Sequence, residues 1–227
     1  MIKIKIGNRR YKMSKRFTIQ QWQEVLALDM EDPQSWPKIM SIGFKQPYWK
    51  FHKADKDTAL LGASLVINEM SKRRECKMRD LTDLRLGEFI DLDIYMLMGP
   101  EKNIDTILSI ILKKPTKWAD EALWAIDQYA NFRISTYRQY AGLFDLNKDG
   151  EQEDLDPADW DPNKVAKGWY RVLVDLADDR LLDLDEITEQ PLKKAFNFMA
   201  IRKEKALEER ERQLKQKRQN DLSRNRK

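Results

Sequence analysis

The chain has 227 residues, 41% of them hydrophobic and 35% charged, with a formal net charge of +4. It has only 8 Gly and 8 Pro, and this scarcity favours long helices over a turn-rich all-β fold. The seven Trp argue against a disordered chain. A single cysteine, Cys76, excludes an internal disulfide and a cysteine cluster for zinc. The longest strongly apolar stretch, Ile104–Leu112, is far too short to span a bilayer, and we expect neither a signal peptide nor a membrane partner.

The first residues predict a half-buried β-strand, because isoleucines alternate with lysines at positions 2–6. The turn pair Gly7-Asn8 follows, and Arg9–Met13 is predicted to return as the second strand of a hairpin. Thr18 then precedes a segment with helical apolar spacing, and Gln21 completes the pattern of a capping box. A helix is therefore expected to begin directly after Thr18.

The middle of the chain predicts a series of helices. Ala59–Met70 is predicted to be a short buried helix, and the basic stretch Lys72–Arg79 is predicted to be exposed. Asp80–Asp83 opens a second unit, whose first helix ends at Gly99-Pro100. The apolar positions that carry this helix are Leu86, Phe89, Ile90 and Tyr95.

Two further helices follow at Ile104–Leu112 and Trp118–Leu143. The longer one is predicted to place its apolar side chains on or near one face, namely Leu123, Ile126, Tyr129, Ala130, Ile134 and Tyr137.

The last third begins with an acidic loop, Asp145–Pro162, and continues with a helix at Val165–Leu176. Pro191 starts the final helix, whose tail pairs acidic with basic residues at i,i+4 spacing. We expect that tail to be a solvated helix that frays toward Lys227.

These elements predict a mainly α fold with a small N-terminal β-hairpin, a helical bundle-like core and a charged C-terminal helix. The predicted organisation has three parts. Residues 1–77 form the hairpin and short helices, residues 78–205 form a helical domain that contains the acidic loop 145–162, and residues 206–227 form the charged tail.

The acidic loop contains the sharpest local motif of the chain, a D-x-N-x-D-G pattern centred on Gly150. A twelve-residue loop of this kind surrounds calcium with oxygen ligands. Two departures predict weak binding: Asp156 stands where a longer Glu is usual, and Gln152 replaces an aliphatic residue. The alternative is an acidic, solvated turn without metal. The candidate ligands for one Ca²⁺ ion are Asp145, Asn147, Asp149, Glu151 (by its backbone carbonyl), Glu153 and Asp156.

Patterns that would carry catalysis are absent from the sequence. His52 is the only histidine, and it lacks the context of a metal or catalytic motif. Cys76 lies among basic residues that could lower the pKa of its thiol, yet without a partner His or Cys an inert thiol is the better interpretation. We therefore predict no catalytic residue, no cofactor-binding residue and no enzyme activity.

Two segments that follow Asp80 in the sequence are similar to a known family. The sequences LTDLRLGEFIDLDIYM (residues 81–96) and NIDTILSIILKKP (residues 103–115) resemble the baseplate-hub assembly proteins of T-even-like contractile-tailed phages. The block at residues 170–209 is similar to the C-terminal part of such tail-assembly proteins. The resemblance covers roughly residues 81–205. It implies a virion assembly role, as a chaperone-like factor in the host cytoplasm or as a minor part of the virion, with phage tail or baseplate proteins as partners.

The uneven charge leaves an alternative function open. Residues 1–16 hold seven basic and no acidic residues, and residues 200–227 hold eleven basic and five acidic ones. These basic ends suit a nucleic-acid-binding accessory protein. The tail after Phe198 has no aromatic residue to stack on bases, which counts against nucleic acid. The favoured expectation is therefore an assembly protein that works by protein–protein recognition.

Overall fold

The computed structural model describes residues 2–144 and 161–224, with side chains up to residue 219. The described part is mainly helical and has one two-stranded antiparallel hairpin near its N-terminus, which confirms the predicted fold class. The chain forms two compact units, each made of two separate stretches. Unit 1 contains residues 1–79 and 101–129, and unit 2 contains residues 80–100 and 130–227. None of the described helices is both long and apolar enough to cross a membrane.

Unit 1 begins with the predicted hairpin, in which β1 (Lys3–Ile6) pairs with β2 (Arg9–Lys12). Gly7 occupies the first position of the two-residue turn with φ = 55°, a conformation that glycine adopts without steric cost. Ile4 is buried in the core of the unit, so the alternating isoleucines do form a half-buried strand.

Two packed helices form the centre of unit 1. They are α2 (Trp36–Phe44) and α3 (Lys56–Met70), which follow α1 (Ile19–Leu26). Helices α2 and α3 approach closely, because a Cβ atom on Gly43 would lie only 2.1 Å from a Val66 methyl carbon. The fully buried core residues around this contact are Ile39, Met40, Phe51 and Val66.

The second stretch of unit 1 adds α5 (Ile104–Ile111) and the first half of α6 (Ala119–Gln139). Extended segments join this stretch to the first one, with Thr18 bridging Trp118 and Met78 bridging Leu112. The cap of α1 therefore also takes part in a tertiary contact.

Unit 2 consists of helices around an aromatic core. Its helices are α4 (Leu86–Leu97), the second half of α6, α7 (Pro162–Leu176), α8 (Leu184–Thr188) and α9 (Leu192–Arg224). Phe89 and Phe196 are fully buried and contact each other edge to face, at 5.6 Å between ring centroids. Trp169 packs against the same rings.

Two details differ from the sequence prediction. Helix α7 begins at Pro162 rather than at Val165, because Asp161 caps it by accepting a hydrogen bond from the backbone N–H of Asn163. The buried face of α6 continues from Tyr129 through Arg133 to Tyr137, which leaves Ile134 39% exposed. An arginine on the buried face is invisible to a search for apolar periodicity.

Candidate functional site

Asp93 lies at the centre of unit 2 and is fully buried. Its carboxylate accepts hydrogen bonds from the guanidinium of Arg133, from the Tyr137 hydroxyl at 2.8 Å and from the Trp169 indole N–H at 2.9 Å. These donors lie on α6 and α7, while Asp93 lies on α4. The cluster therefore joins three helices through one buried charge.

The cluster is buried, with Asp93 fully covered and Arg133 and Tyr137 only 5% and 8% exposed. Burial, followed by the neighbouring Asp93 carboxylate, raises the pKa of the Tyr137 hydroxyl far above its ordinary value of 10.0. Tyr137 therefore stays protonated and acts as a donor to Asp93. With neither Asp93 nor Tyr137 open to a ligand, the cluster serves to hold the helices of unit 2 together. Sequence reasoning missed Asp93, although its spacing of four from Phe89 and three from Ile90 places it on the same helical face.

The turn after α7 has an uncommon backbone. Asp178 and Asp179 follow each other with φ angles of 46° and 61°, a region that residues other than glycine rarely occupy. Arg202 of α9 holds this turn by donating to the Asp175 carbonyl at 2.7 Å and to the Asp178 carboxylate at 2.9 Å. The turn is thus fixed against α9 by a charged side chain.

Next to this turn, large apolar side chains face solvent. Leu181 is 73% exposed and Leu182 is 92% exposed. On α9, Phe198 and Ile201 are also exposed. Phe198 neighbours Ile201, three residues further on, and Arg202, four residues further on, whose side chain reaches the turn. We refer to these residues as the apolar contact surface: Leu181, Leu182, Phe198 and Ile201.

Helix α9 also contacts the end of α6. Tyr140 donates to the Asn197 side chain at 2.8 Å, and the Lys203 ammonium donates to the Leu143 carbonyl at 3.2 Å. A groove of about 320 Å³ follows, bordered by Leu143, Ala200 and Leu207. Every residue from 204 to 219 is exposed, which is the charged, solvated helix that the sequence predicted.

Unit 1 contains a cavity of about 190 Å³ with mostly charged walls. Arg16 binds Asp120 at 2.5 Å and Glu121 at 2.7 Å, and its guanidinium lies 4.4 Å from the centre of the Trp118 ring. The hydrogen bond to Asp120 is the main cause of a raised pKa at Arg16. Arg74 also approaches Asp120, at 3.4 Å. Glu69 of the same wall pairs with Lys72 at 2.6 Å, so the carboxylates of this cavity are committed to basic side chains.

His52 and Cys76, the candidates for chemistry that lie within the described residues, contact neighbouring groups of unit 1. The His52 imidazole lies against the Tyr48 ring, and its Nδ1 atom is 2.6 Å from the Trp49 carbonyl oxygen. The Cys76 thiol donates to the Glu121 carbonyl at 3.6 Å. Burial, followed by nearby carboxylates, raises the pKa of Cys76, so the basic neighbours in the sequence do not activate the thiol.

The predicted calcium ligands, from Asp145 to Asp156, all lie outside the described residues. Within residues 2–144 and 161–224, no group of three or more His, Cys, Asp or Glu side chains is placed to hold a metal ion.

Comparison with known proteins finds no family model, no curated protein and no solved structure that matches this chain. Function is therefore inferred from the surfaces described above and from the resemblance noted for residues 81–205.

Proposed function

We propose that this chain is a non-enzymatic assembly protein that binds other protein subunits through the apolar contact surface, and that these subunits belong to a phage tail or baseplate hub. The observation that carries the proposal is the exposure of the four apolar side chains, from 53% for Ile201 to 92% for Leu182. The sequence resemblance supports the class of partner.

The physical reason is the cost of leaving such side chains in water. Complete burial of one leucine, isoleucine or phenylalanine side chain contributes about 1.5–3 kcal/mol, so a partner that covers the surface gains several such contributions. Large apolar side chains in the middle of an interface commonly carry most of the binding energy. Arg202 fixes the turn directly before Leu181 and Leu182, and a backbone that is held in place before binding lowers the entropy lost on binding.

The side chains at the border of the apolar contact surface indicate which charge the partner carries. Asp185 and Glu186 on α8 are exposed close to Leu182 in the sequence. An apolar groove flanked by Lys or Arg side chains would complement this border, because interfaces combine an apolar centre with a charged rim.

The test is co-expression with candidate hub subunits, followed by size-exclusion chromatography. The variant Leu182→Ser/Ile201→Ser should weaken the complex at least about tenfold, since it removes two apolar anchors. The matched control is Leu26→Ser/Leu61→Ser, which changes side chains of unit 1 that are 51% and 58% exposed. Equal binding by both variants, or recovery with host metabolic enzymes and never with tail proteins, would contradict the proposal.

The tail of α9 is proposed as a second, electrostatic contact. Truncation after Leu207 retains the residues that border the groove, so the melting temperature should stay nearly unchanged. Partner binding should weaken, and the difference from the full chain should be largest at low salt, where charges are least screened. A large loss of stability with intact binding would show that the tail is a structural element instead.

A further inference from the structure

The N-terminal hairpin carries four basic side chains on one face. In the antiparallel register of β1 and β2, Lys3 lies opposite Lys12 and Lys5 lies opposite Arg10, so all four project to the same side. All four are exposed. Ile4 projects to the other side and is buried in the core of unit 1. We call Lys3, Lys5, Arg10 and Lys12 the cationic face.

This arrangement is unfavourable for the hairpin by itself, because like charges directly opposite each other across two strands repel. The ion pairs among the described residues include none of the four side chains. The first acidic residue of the sequence is Glu24, well beyond the hairpin. Within residues 2–144 and 161–219, no ion pair of the chain itself offsets these four charges.

Basic side chains continue from the cationic face across unit 1. Lys12 borders a shallow pocket together with Lys15 and Lys45. Lys15 also borders the charged cavity. Arg73 and Arg74 at that cavity are paired with Asp127 and Asp120, so the continuation of unpaired basic charge rests on Lys12, Lys15 and Lys45. A series of this kind suits a ligand whose negative charges repeat at regular intervals, rather than a single carboxylate.

The composition of the face distinguishes among polyanions. It has no apolar or aromatic anchor of the kind that dominates protein–protein interfaces. It also offers no aromatic side chain on which unpaired bases would stack, since Tyr11 lies on the opposite side and contacts Phe51. Phosphates of a duplex need neither feature, because basic side chains bind them through charge. Two-stranded ribbons also fit the grooves of duplex DNA.

We propose that the cationic face binds the phosphate backbone of double-stranded DNA without sequence preference. The absence of aromatic side chains disfavours binding to single strands, but it does not weaken binding to the phosphate backbone of a duplex. The site lies in unit 1, so it is independent of the protein contact proposed for unit 2 and goes beyond that function.

The deciding variant is Lys5→Glu/Lys12→Glu. It places opposite charges across both strand pairs, which favours the hairpin, and it lowers the charge of the face from +4 to zero. Binding of a fluorescent DNA duplex of about 20 base pairs is measured by anisotropy at several salt concentrations. For the full-length native chain, log K should fall linearly with log salt. In the variant this slope should shrink by about 3 to 4, and affinity at low salt should fall more than about tenfold.

The matched control is Lys205→Glu/Lys215→Glu, which changes the net charge equally on the exposed tail of α9 and should retain most of the binding. A second variant replaces all four basic residues of the cationic face with Gln. Circular dichroism identifies a folding defect in either variant, and DNA binding is then judged from the variant that remains folded. Native-like DNA binding by the folded variants, or an equal loss in the control, would overturn the proposal. Tighter binding of polyglutamate than of the duplex at equal salt would assign the face to an acidic protein instead.

Discussion

At the scale of single residues, Asp93 shows how one polar side chain can determine the packing of a core. Removing a carboxylate from water costs several kcal/mol, and the cost is offset only by good hydrogen bonds and an opposite charge. Asp93 has both, from Arg133, Tyr137 and Trp169. The helices α4, α6 and α7 are therefore held in one arrangement, because any other would leave the buried charge without these partners.

We expect Asp93→Asn to lower the free energy of unfolding by about 3–5 kcal/mol, because it leaves the buried Arg133 guanidinium without its carboxylate. Urea denaturation measures this difference. Asp91→Asn, on the exposed side of the same helix, should change stability by less than about 0.5 kcal/mol. The double variant Asp93→Leu/Arg133→Met should be more stable than Asp93→Asn, and the reverse order would contradict a role for the ion pair.

The acidic motif gives a second prediction at this scale, which rests on the sequence. We expect residues Asp145 to Asp156 to bind one Ca²⁺ ion with a dissociation constant on the order of 10⁻⁴–10⁻³ M. Calorimetry on the native chain should show calcium heat and a calcium-dependent rise in melting temperature, and Asp149→Ala should abolish both. Absence of calcium heat at millimolar concentration would leave an acidic turn whose charge is balanced by basic side chains.

At the scale of elements, several helix starts follow from capping chemistry. Thr18 and Gln21 form the predicted capping box of α1, with a backbone–side chain hydrogen bond in each direction. Asp55 begins α3 by accepting from the backbone N–H of Thr58 at 2.9 Å. That hydrogen bond is the main cause of the lowered pKa of Asp55. The two caps differ in one physical respect: the carboxyl group titrates and the hydroxyl does not.

This difference predicts a pH dependence. A carboxyl group with a lowered folded-state pKa stabilises the fold above its ordinary value of 3.8, and the contribution is lost as the pH falls through the folded pKa. Asp55→Ala should therefore lower the melting temperature at neutral pH, with a difference that fades in strong acid. Thr18→Ala should cost about 1 kcal/mol at both pH values. A pH-independent effect of Asp55→Ala would indicate that packing, rather than the charged cap, is lost.

At the scale of the whole molecule, charge is distributed unevenly between the two units. Unit 1 has 21 basic and 13 acidic residues, whereas unit 2 has 21 basic and 25 acidic residues. The formal charges are thus +8 and −4. Oppositely charged units on different molecules attract each other, and the attraction is screened by salt over a Debye length of about 10 Å at 0.1 M.

We therefore expect weak self-association at low ionic strength that disappears when salt is added. Static light scattering should show net attraction between molecules at about 10 mM salt and net repulsion or neutrality at about 0.3 M. The neutral-face variant Lys5→Glu/Lys12→Glu should reduce the attraction, because it removes four units of charge from unit 1. Salt-independent scattering would contradict this expectation.

The sequence by itself determined the features that depend on neighbours within a few residues. The alternating isoleucines and Gly7-Asn8 specify the hairpin, and the Thr18 cap specifies the start of α1, because β pairing across a tight turn and helix capping are local interactions. The long final helix and its solvated tail follow from charge pairs at i,i+4 spacing. The acidic motif at residues 145–156 is equally local, but it lies outside the described residues, and calcium binding there stays a prediction.

Only the tertiary structure decided which distant residues meet. The donors to Asp93 are 40, 44 and 76 positions away in the sequence, so no local period marks them. The apolar contact surface combines a turn with a helix face through Arg202, which lies 24 positions from Asp178. The two units likewise draw on separate stretches of the chain. Such contacts arise from packing and charge pairing between elements, whereas sequence periodicity reports only the face that each element buries.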